Sequence, residues 1–294
     1  MIQYVYMECN YYHQPVLTNP LITHFSLTNQ ACIGDGTVGF GGHAEAILSQ
    51  WPGICYYGFD KDAMAIDCSK NRLAGFDHVH IERLPFSRMI PWFRDRGITP
   101  THLFVDLGVS SYQIDQSQRG FSFQRNEPLD MRMDERDPLT AATIVNTFSK
   151  DALRGIFCDE SGISHPDRLV DAILHAREAA PLVMTSDVVG LVKRVAVVRS
   201  RQRFISECTR VFQALRVAVN YEMNELTTFL NDLTHCPGVT VAIITFQPNE
   251  DRRVKQCIRH NGWQAVSKKP FMASYHECKK NPRERTAKLR IFTV

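Results

Sequence analysis

Ile33-Gly34-Asp35-Gly36-Thr37-Val38-Gly39-Phe40-Gly41-Gly42-His43-Ala44-Glu45-Ala46-Ile47-Leu48 is the stretch whose reading decides the fold. Its glycines stand between two apolar runs, the signature of a loop folded tightly around something. Ala31, Cys32 and Ile33 before it suit the end of a buried strand, and Ala44, Ala46, Ile47 and Leu48 after it suit a short helix. Strand, glycine loop and helix make the first unit of an α/β nucleotide-binding sheet.

The string Gly34-x-Gly36-x-x-Gly39 matches the dinucleotide fingerprint, which alone is weak, because glycine-rich turns also arise wherever a chain reverses sharply. Asp35 decides against a dinucleotide: its carboxylate would repel the pyrophosphate that such a loop cradles. It is better matched to a ligand carrying positive charge, such as the amino group and sulfonium of S-adenosylmethionine. The plainer use of Asp35 is to cap a turn or the following helix.

Working outward, Cys55-Tyr56-Tyr57-Gly58-Phe59 reads as a second strand ending in Asp60-Lys61-Asp62. An acid at that point, about 20 residues past the glycine loop, suits ribose hydroxyls; Asp60 or Asp62 would otherwise cap the helix Ala63 to Leu73. Val79 to Arg83 alternates as a third strand and leads to Phe86, at the head of a helix reaching about Arg96. Phe86 could lie against an adenine ring or simply pack in the core. His102-Leu103-Phe104-Val105-Asp106 is a fourth, apolar strand ending in a carboxylate. Ligands of open α/β sheets bind beyond the carboxyl ends of the strands, so Asp35, Asp60 and Asp106 are expected to face one crevice. Three acids at successive strand ends are poorly explained as turn formers alone.

After Gln113 the alternation stops. Asp115 to Asp137 is rich in polar, aromatic and arginine residues without a period, and so long a loop is uncommon unless functional. Residues 140 to about 193 are helical in pattern. A long helix is expected from about Thr209 to Leu233, its stripe Phe212, Leu215, Val219, Met223, Leu226, Leu230 and Leu233 belonging to the core. An apolar strand then follows from Val239 to Phe246, a helix from Glu250 to Asn261, a strand from Trp263 to Lys268 and a closing strand from Leu289 to Val294. The expected organisation is an α/β sheet domain in two parts, residues 1–114 and 211–294, with a helical insertion, residues 115–210, between its fourth and fifth strands. A short helix from about Asn19 to His24 precedes the sheet.

The formal net charge of +3 is mild but unevenly placed. Basic residues far outnumber acidic ones from Arg252 to Arg290, and a second cluster runs through Lys193, Arg194, Arg199, Arg201, Arg203 and Arg210. One such cluster is usually a solvated face; two make a polyanion such as nucleic acid a reasonable partner. The nine cysteines are scattered singly, without zinc-ligand spacing, and read as reduced thiols, mostly filling core. No metal site is indicated. No apolar run reaches membrane-spanning length and no leader pattern opens the chain, so a soluble, cytoplasmic protein that does not engage a membrane is expected.

With these residues in hand, the chain resembles the RsmH (MraW) family, S-adenosylmethionine-dependent methyltransferases acting on the exocyclic N4 of a cytidine in the decoding region of bacterial small-subunit (16S) rRNA. The match runs in order through His13-Gln14-Pro15-Val16-Leu17, Asp35-Gly36-Thr37 with Gly39 and Gly41-Gly42-His43, and Asp106-Leu107-Gly108-Val109-Ser110-Ser111. It continues with Arg119-Gly120-Phe121-Ser122-Phe123, Pro128-Leu129-Asp130-Met131-Arg132-Met133-Asp134, Phe212-Gln213-Ala214-Leu215-Arg216, Glu250-Asp251-Arg252, Asn281-Pro282-Arg283 and Ala287-Lys288-Leu289-Arg290. The resemblance implies a class I methyltransferase (Rossmann-like) sheet with an inserted all-α domain that helps hold RNA. It also implies that Gly41, Gly42, His43, Asp60, Phe86, Asp106 and Gln113 line the cofactor pocket, to which the loop reading above adds Asp35.

The chain departs from the family in three places. Thr245-Phe246-Gln247-Pro248-Asn249 stands where Ser-Phe-His-Ser-Leu is usual. Ser206-Glu207-Cys208-Thr209 replaces His-Pro-Ala-Thr, and a Gly-Glu-Glu motif is degraded around Asp159 to Ile163. These changes bear on RNA docking or the target position rather than on the donor.

A cytosine N4 amine is a poor nucleophile, since its lone pair is delocalised into the ring. A hydrogen-bond acceptor on its N–H would favour a pyramidal amine and stabilise the charge that develops on methylation. Asp106 and Ser110 are the candidates for that acceptor. Phe121, Phe123 and Tyr112 are candidates to stack on a target base, and Arg119, Arg125 and Arg132 to meet phosphates. The phenylalanines would otherwise be packing contacts. Competing readings are a nicotinamide oxidoreductase, a methyltransferase of protein or DNA, and a catalytically silent RNA-binding ribosome assembly factor. The oligomeric state is left open, a homodimer included.

Overall fold

The computed structural model describes residues 15–158, 162–163, 165–195 and 200–294. His13, Gln14, Arg199 and residues 159–161 of the motifs above lie outside them. The chain divides into two compact units, one comprising the described residues up to Gly108 together with Asn224–Val294, the other Val109–Met223.

The first unit opens with α1 (Thr18–His24) and β1 (Cys32–Asp35). The glycine loop follows, and α2 (Gly42–Gln50) starts from Gly41, whose φ of 78° suits glycine. β2 (Cys55–Asp60) and α3 (Ala63–Arg72) come next, with Asp62 capping α3 through the Met64 N–H. β3 (Val79–Arg83), α4 (Met89–Asp95) and β4 (His102–Asp106) complete the first half of the sheet. Phe86 lies in a single 3-10 turn just before α4.

The second unit holds α5 (Ser111–Asp115), α6 (Ala141–Thr147), α7 (Lys150–Cys158), α8 (Pro166–Ala179), α9 (Thr185–Val195) and α10 (Arg201–Val219). The apolar faces of α6 to α10, with Leu129 and Met131 of the long loop, form a core of their own. The expected single helix from Thr209 to Leu233 is instead two, α10 and α11 (Glu222–Asp232). Asn220 interrupts it: its side chain accepts from the Met133 N–H at 2.7 Å and donates to the Met131 carbonyl at 2.8 Å, and Tyr221 turns into the left-handed region at φ 53°. The apolar period runs on across this break, which is why the sequence pattern conceals it.

Back in the first unit, β5 (Thr240–Thr245), α12 (Pro248–His260), β6 (Gln264–Ala265), α13 (Tyr275–Lys280) and β7 (Lys288–Thr293) close the fold. β6 is far shorter than the strand expected from Trp263 to Lys268. The seven strands stand in the order β3-β2-β1-β4-β5-β7-β6, with β1 to β5 parallel and β7 antiparallel to both its neighbours. This is the class I methyltransferase sheet that the resemblance implies, with the helical region entering between β4 and β5. β4 is almost wholly buried, as is β5, in keeping with central parallel strands covered on both faces, whereas β3 alternates as an edge. The strand order reverses between β1 and β4, and the crevice beyond their carboxyl ends is where such sheets bind ligands.

The expectation of nine reduced, mostly core-filling thiols is corrected. Cys68 is disulfide-bonded, and of the free cysteines described only Cys208 is buried. Residues at strand edges and helix surfaces, such as Cys55 and Cys158, carry the rest. No helix among the described residues is long and apolar enough to cross a membrane.

Candidate active site

The site of the first unit is assembled by hydrogen bonds between the glycine loop and three strand ends. Asp35, at the end of β1, is buried; its Oδ1 accepts from the Thr37 N–H at 3.0 Å and its Oδ2 from the Tyr56 hydroxyl. Both oxygens are therefore turned inward, and Asp35 shapes the loop as well as charging it. Thr37 reaches the next acid but one, its Oγ1 accepting from the Asp106 N–H at 2.6 Å. Asp60, at the end of β2, holds the other side of the loop: Oδ2 accepts from the Gly39 N–H at 3.0 Å and Oδ1 from the Asp62 N–H at 2.9 Å. Each Asp60 oxygen keeps a second lone pair for a hydroxyl donor.

Gly36 is required by its neighbour. A Cβ there would sit 2.6 Å from the Cβ of Phe86, so the loop and the Phe86 turn are in direct contact, and the Phe86 ring meets Phe229 edge to face at 5.8 Å. Phe86 is half-buried, with packing on one side.

His43 is held in one orientation. Its Nε2 lies 2.8 Å from the Val16 carbonyl, which sets Nε2 as the protonated nitrogen, and its Nδ1 faces Asp106 Oδ2 at 3.8 Å, beyond hydrogen-bond reach. Asp106 differs from the other two acids: its Oδ1 is buried with no hydrogen-bond partner.

No lysine or arginine among the described residues forms an ion pair with any of these carboxylates, and burial pushes all three up. Asp35 rises to about 7 and Asp60 to about 6, burial being the largest cause in each, partly opposed by the hydrogen bonds just described and, for Asp60, by the charge of Lys61. Asp106 is held well above the usual carboxylate range by burial, with Asp35 and Glu250 adding like-charge repulsion. Arranged this way, the three acids are neutralised by no ion pair and hold their protons to higher pH, a set that a ligand bringing a cation would ionise.

The sequence names Thr37, Gln247 and Glu250 only as members of motifs, Gln247 within a departure from the family, and points to no role for them or for Tyr56. Glu250 is buried at the start of α12, its carboxylate accepting from the Phe246 and Gln247 N–H groups at 2.9 and 3.0 Å. The spacing Gln247-x-x-Glu250 is a capping-box signature and was available as a signal. Tyr56 carries no local signal, because its bond to Asp35 depends on strand pairing.

In the second unit, Ser110 and Gln113 cap α5 reciprocally: the Gln113 N–H donates to Ser110 Oγ at 3.2 Å and the Ser110 N–H to Gln113 Oε1 at 3.0 Å. The arginines of the long loop are tied within it. Arg119 donates to the Arg132 and Met133 carbonyls, each at 3.1 Å, and lies over the Phe121 ring. Arg125 pairs with Glu127 at 2.6 Å, and Arg132 forks onto Asp130 at 2.9 and 2.7 Å. Phe121 and Phe123 pack against the helical core, Phe123 edge to face with Phe212 at 5.6 Å.

A family model described as the MraW methylase family matches residues 10–294. The chain is similar to three proteins named Ribosomal RNA small subunit methyltransferase H. That of a Nitratiruptor species is 38% identical, covering 95% of this chain and 97% of that one. That of Cyanothece sp. (strain PCC 7425 / ATCC 29141) is 39% identical over 97% of this chain and 95% of its own length, and that of Chlamydia caviae 37% identical over 96% and 97%.

Proposed function

The chain belongs to the MraW methylase family, and on that premise we propose that it transfers a methyl group from S-adenosylmethionine to the exocyclic N4 of a cytidine in the decoding region of small-subunit rRNA. The observation that carries this reading is the set of carboxylates at the ends of β1, β2 and β4, flanking the point where strand order reverses and engaged in no ion pair with a lysine or arginine among the described residues. The donor fits that set: the unpaired Asp106 Oδ1 is an acceptor for an ammonium or amine N–H, and Asp60 has lone pairs for two ribose hydroxyls. Bound there, S-adenosylmethionine supplies an electrophilic methyl on a positively charged sulfur.

The chain's own part is to hold and orient. Asp35 and Thr37 keep the glycine loop in register with β4; Gly41, Gly42 and His43 start α2 close to the acids; Phe86 offers a face against the loop. Gln113 and Ser110 belong to the second unit, where the Ser110 oxygen already accepts from the Gln113 N–H as it caps α5. Two roles are open to Asp106, gripping the donor or accepting from the target amine, and Asp106→Asn separates them. Loss of donor grip raises the donor Kd and leaves single-turnover chemistry at saturation nearly intact; loss of the amine acceptor leaves the Kd and lowers the single-turnover rate by roughly 100-fold or more. The exposed lysines and arginines between residues 252 and 285 support an RNA partner.

The test is calorimetry with S-adenosylmethionine and NAD, followed by labelled-methyl transfer to small ribosomal subunits, naked rRNA, DNA and protein, and mapping of the product nucleoside. N4-methylcytidine in small-subunit rRNA is expected. RNA binding without any methyl transfer would make the chain an assembly factor instead.

A further inference from the structure

Two buried polar atoms at the carboxyl edge of the sheet have no hydrogen-bond partner, Asp106 Oδ1 and Gln247 Nε2. Asp106 ends β4, and Gln247 stands two residues beyond the end of the neighbouring β5. Asp106 pairs in register with Ile244 of β5, the Leu107 N–H donates to the Ile244 carbonyl at 3.0 Å, and Gln247, which caps the start of α12, follows three residues later. The two strand ends stay close beyond this pair: the Phe246 ring lies 3.6 Å from where a Cβ on Gly108 would be, and Gly108 has a φ of 104° that suits glycine alone.

Gln247 cannot move its main chain to resolve the orphan, because the Glu250 carboxylate already takes its N–H and that of Phe246. The acidic surroundings, Asp106 and Glu250, favour the amide's nitrogen over its oxygen as the end presented to the crevice. One orphan is thus a donor and the other an acceptor, on neighbouring strand ends, and neither satisfies the other. Buried polar atoms are nearly always paired, so both call for a third body that accepts from one and donates to the other.

We propose that Gln247 is a base-specificity residue: its Nε2–H donates to the unprotonated ring nitrogen beside an exocyclic amine, while Asp106 Oδ1 accepts an N–H of that amine. Cytosine offers this edge through N3 and N4, and adenine offers it through N1 and N6. Uracil and guanine carry a proton on the corresponding ring nitrogen and a carbonyl in place of the amine, so both contacts become repulsive. The inference rests on the reading of the chain as a cytidine methyltransferase, takes the second of the two roles open to Asp106, acceptor from the target amine, and assigns the atom by which the base is told from uridine. It places Gln247 in contact with substrate, and it leaves the choice between cytosine and adenine to the size of the crevice.

The experiment deletes the atom on each side of the proposed bond. Uridine oligonucleotides carrying one cytidine, or one 3-deazacytidine that lacks the ring nitrogen, are titrated by fluorescence anisotropy into the full chain in the presence of S-adenosylhomocysteine, so that binding is read without turnover. The wild-type protein is expected to bind the 3-deaza oligonucleotide roughly 10- to 100-fold more weakly. Gln247→Ala should lose a similar factor on the cytidine oligonucleotide and show no further loss on the 3-deaza one. Gln247→His, which keeps a ring N–H, should remain sensitive to the deletion. Affinity for S-adenosylhomocysteine serves as the check that each variant is folded. Equal binding of the two oligonucleotides by the wild-type protein, or a 3-deaza penalty that survives in Gln247→Ala, overturns the proposal. Failure of the wild-type protein to methylate any RNA would sink the functional reading separately, since the binding cycle does not depend on turnover.

Discussion

Asp35, Asp60 and Asp106 hold their protons to higher pH than solvated carboxylates because burial penalises the charged form. A folded-state value above the unfolded one means that the folded chain binds more protons between the two, so stability falls as pH rises through that window. For Asp35 the window runs from 3.8 to about 7, and for Asp60 from 3.8 to about 6. A cationic donor acts in the opposite sense, because it favours the ionised carboxylates. Its affinity should therefore climb between about pH 5.5 and 7.5, with proton release on binding, and isothermal titration in buffers of different ionisation enthalpy measures both. A flat affinity over that range would mean that the acids do not meet the donor's charge. On the proposed reading, Asp106 is a residue kept for function at the expense of stability. Asp106→Asn should raise the melting temperature of the ligand-free protein at pH 8, by about 2–4 °C for each kcal/mol recovered, and should give no gain near pH 4, where the native side chain is already neutral. Thermal scans of both proteins at the two pH values decide it.

α12 and β7 are locked by charge. Asp251 takes Arg290 at 2.7 and 3.3 Å and Lys288 at 3.4 Å, and Arg290 is itself buried. The arginine and lysine hold the Asp251 carboxyl below its usual value despite partial burial. A depressed carboxylate contributes stability that is present above its unfolded value and lost as pH falls through the folded one, so this pairing weakens only below about pH 4. Asp251→Ala strands a buried guanidinium and should cost about 3–5 kcal/mol at neutral pH, read as a lower urea midpoint with the slope unchanged. The motifs Glu250-Asp251-Arg252 and Ala287-Lys288-Leu289-Arg290 looked unrelated in the sequence, and only the antiparallel pairing of β7 with β5 brings them together. What the sequence made legible were features set by neighbours in the chain: β1, β2 and β4 by their apolar runs, the loop by its glycines, and the acids by their position after a strand. What it hid depends on distant partners. Asp35 bonds inward because Tyr56 lies across a strand pair, Arg119 finds the carbonyls of Arg132 and Met133, and the α10–α11 break is made by Asn220 reaching to residues 131 and 133.

Over the whole molecule the formal net charge is only +3, yet residues 252–290 carry twelve lysines and arginines against two glutamates, so attraction for a polyanion comes from distribution rather than total. Within that stretch Lys288 and Arg290 are taken by Asp251, whereas Lys268, Lys269, Lys279, Lys280 and Arg285 are exposed, in company with Tyr275 at 88% exposure. An exposed aromatic among cations suits single-stranded RNA, whose bases stack while its phosphates displace counterions. The arginines of the long loop are a contrasting set, since their donors are already directed at carbonyls and carboxylates inside it. The two sets should separate in a salt titration. Each phosphate contact on a single strand adds about 0.7 to the magnitude of the slope of log K against log salt concentration. Lys279→Ala with Lys280→Ala should therefore flatten the slope by about 0.7 per contact removed, with donor affinity and melting temperature unchanged. Arg132→Ala should instead lower the melting temperature, because it opens the fork on Asp130 and the bonds to the Glu135 and Asp137 carbonyls, and should leave the slope as it was. If Arg132→Ala flattens the slope and the lysine pair does not, the phosphate-binding face belongs to the long loop, and the basic stretch after α12 is only solvated surface.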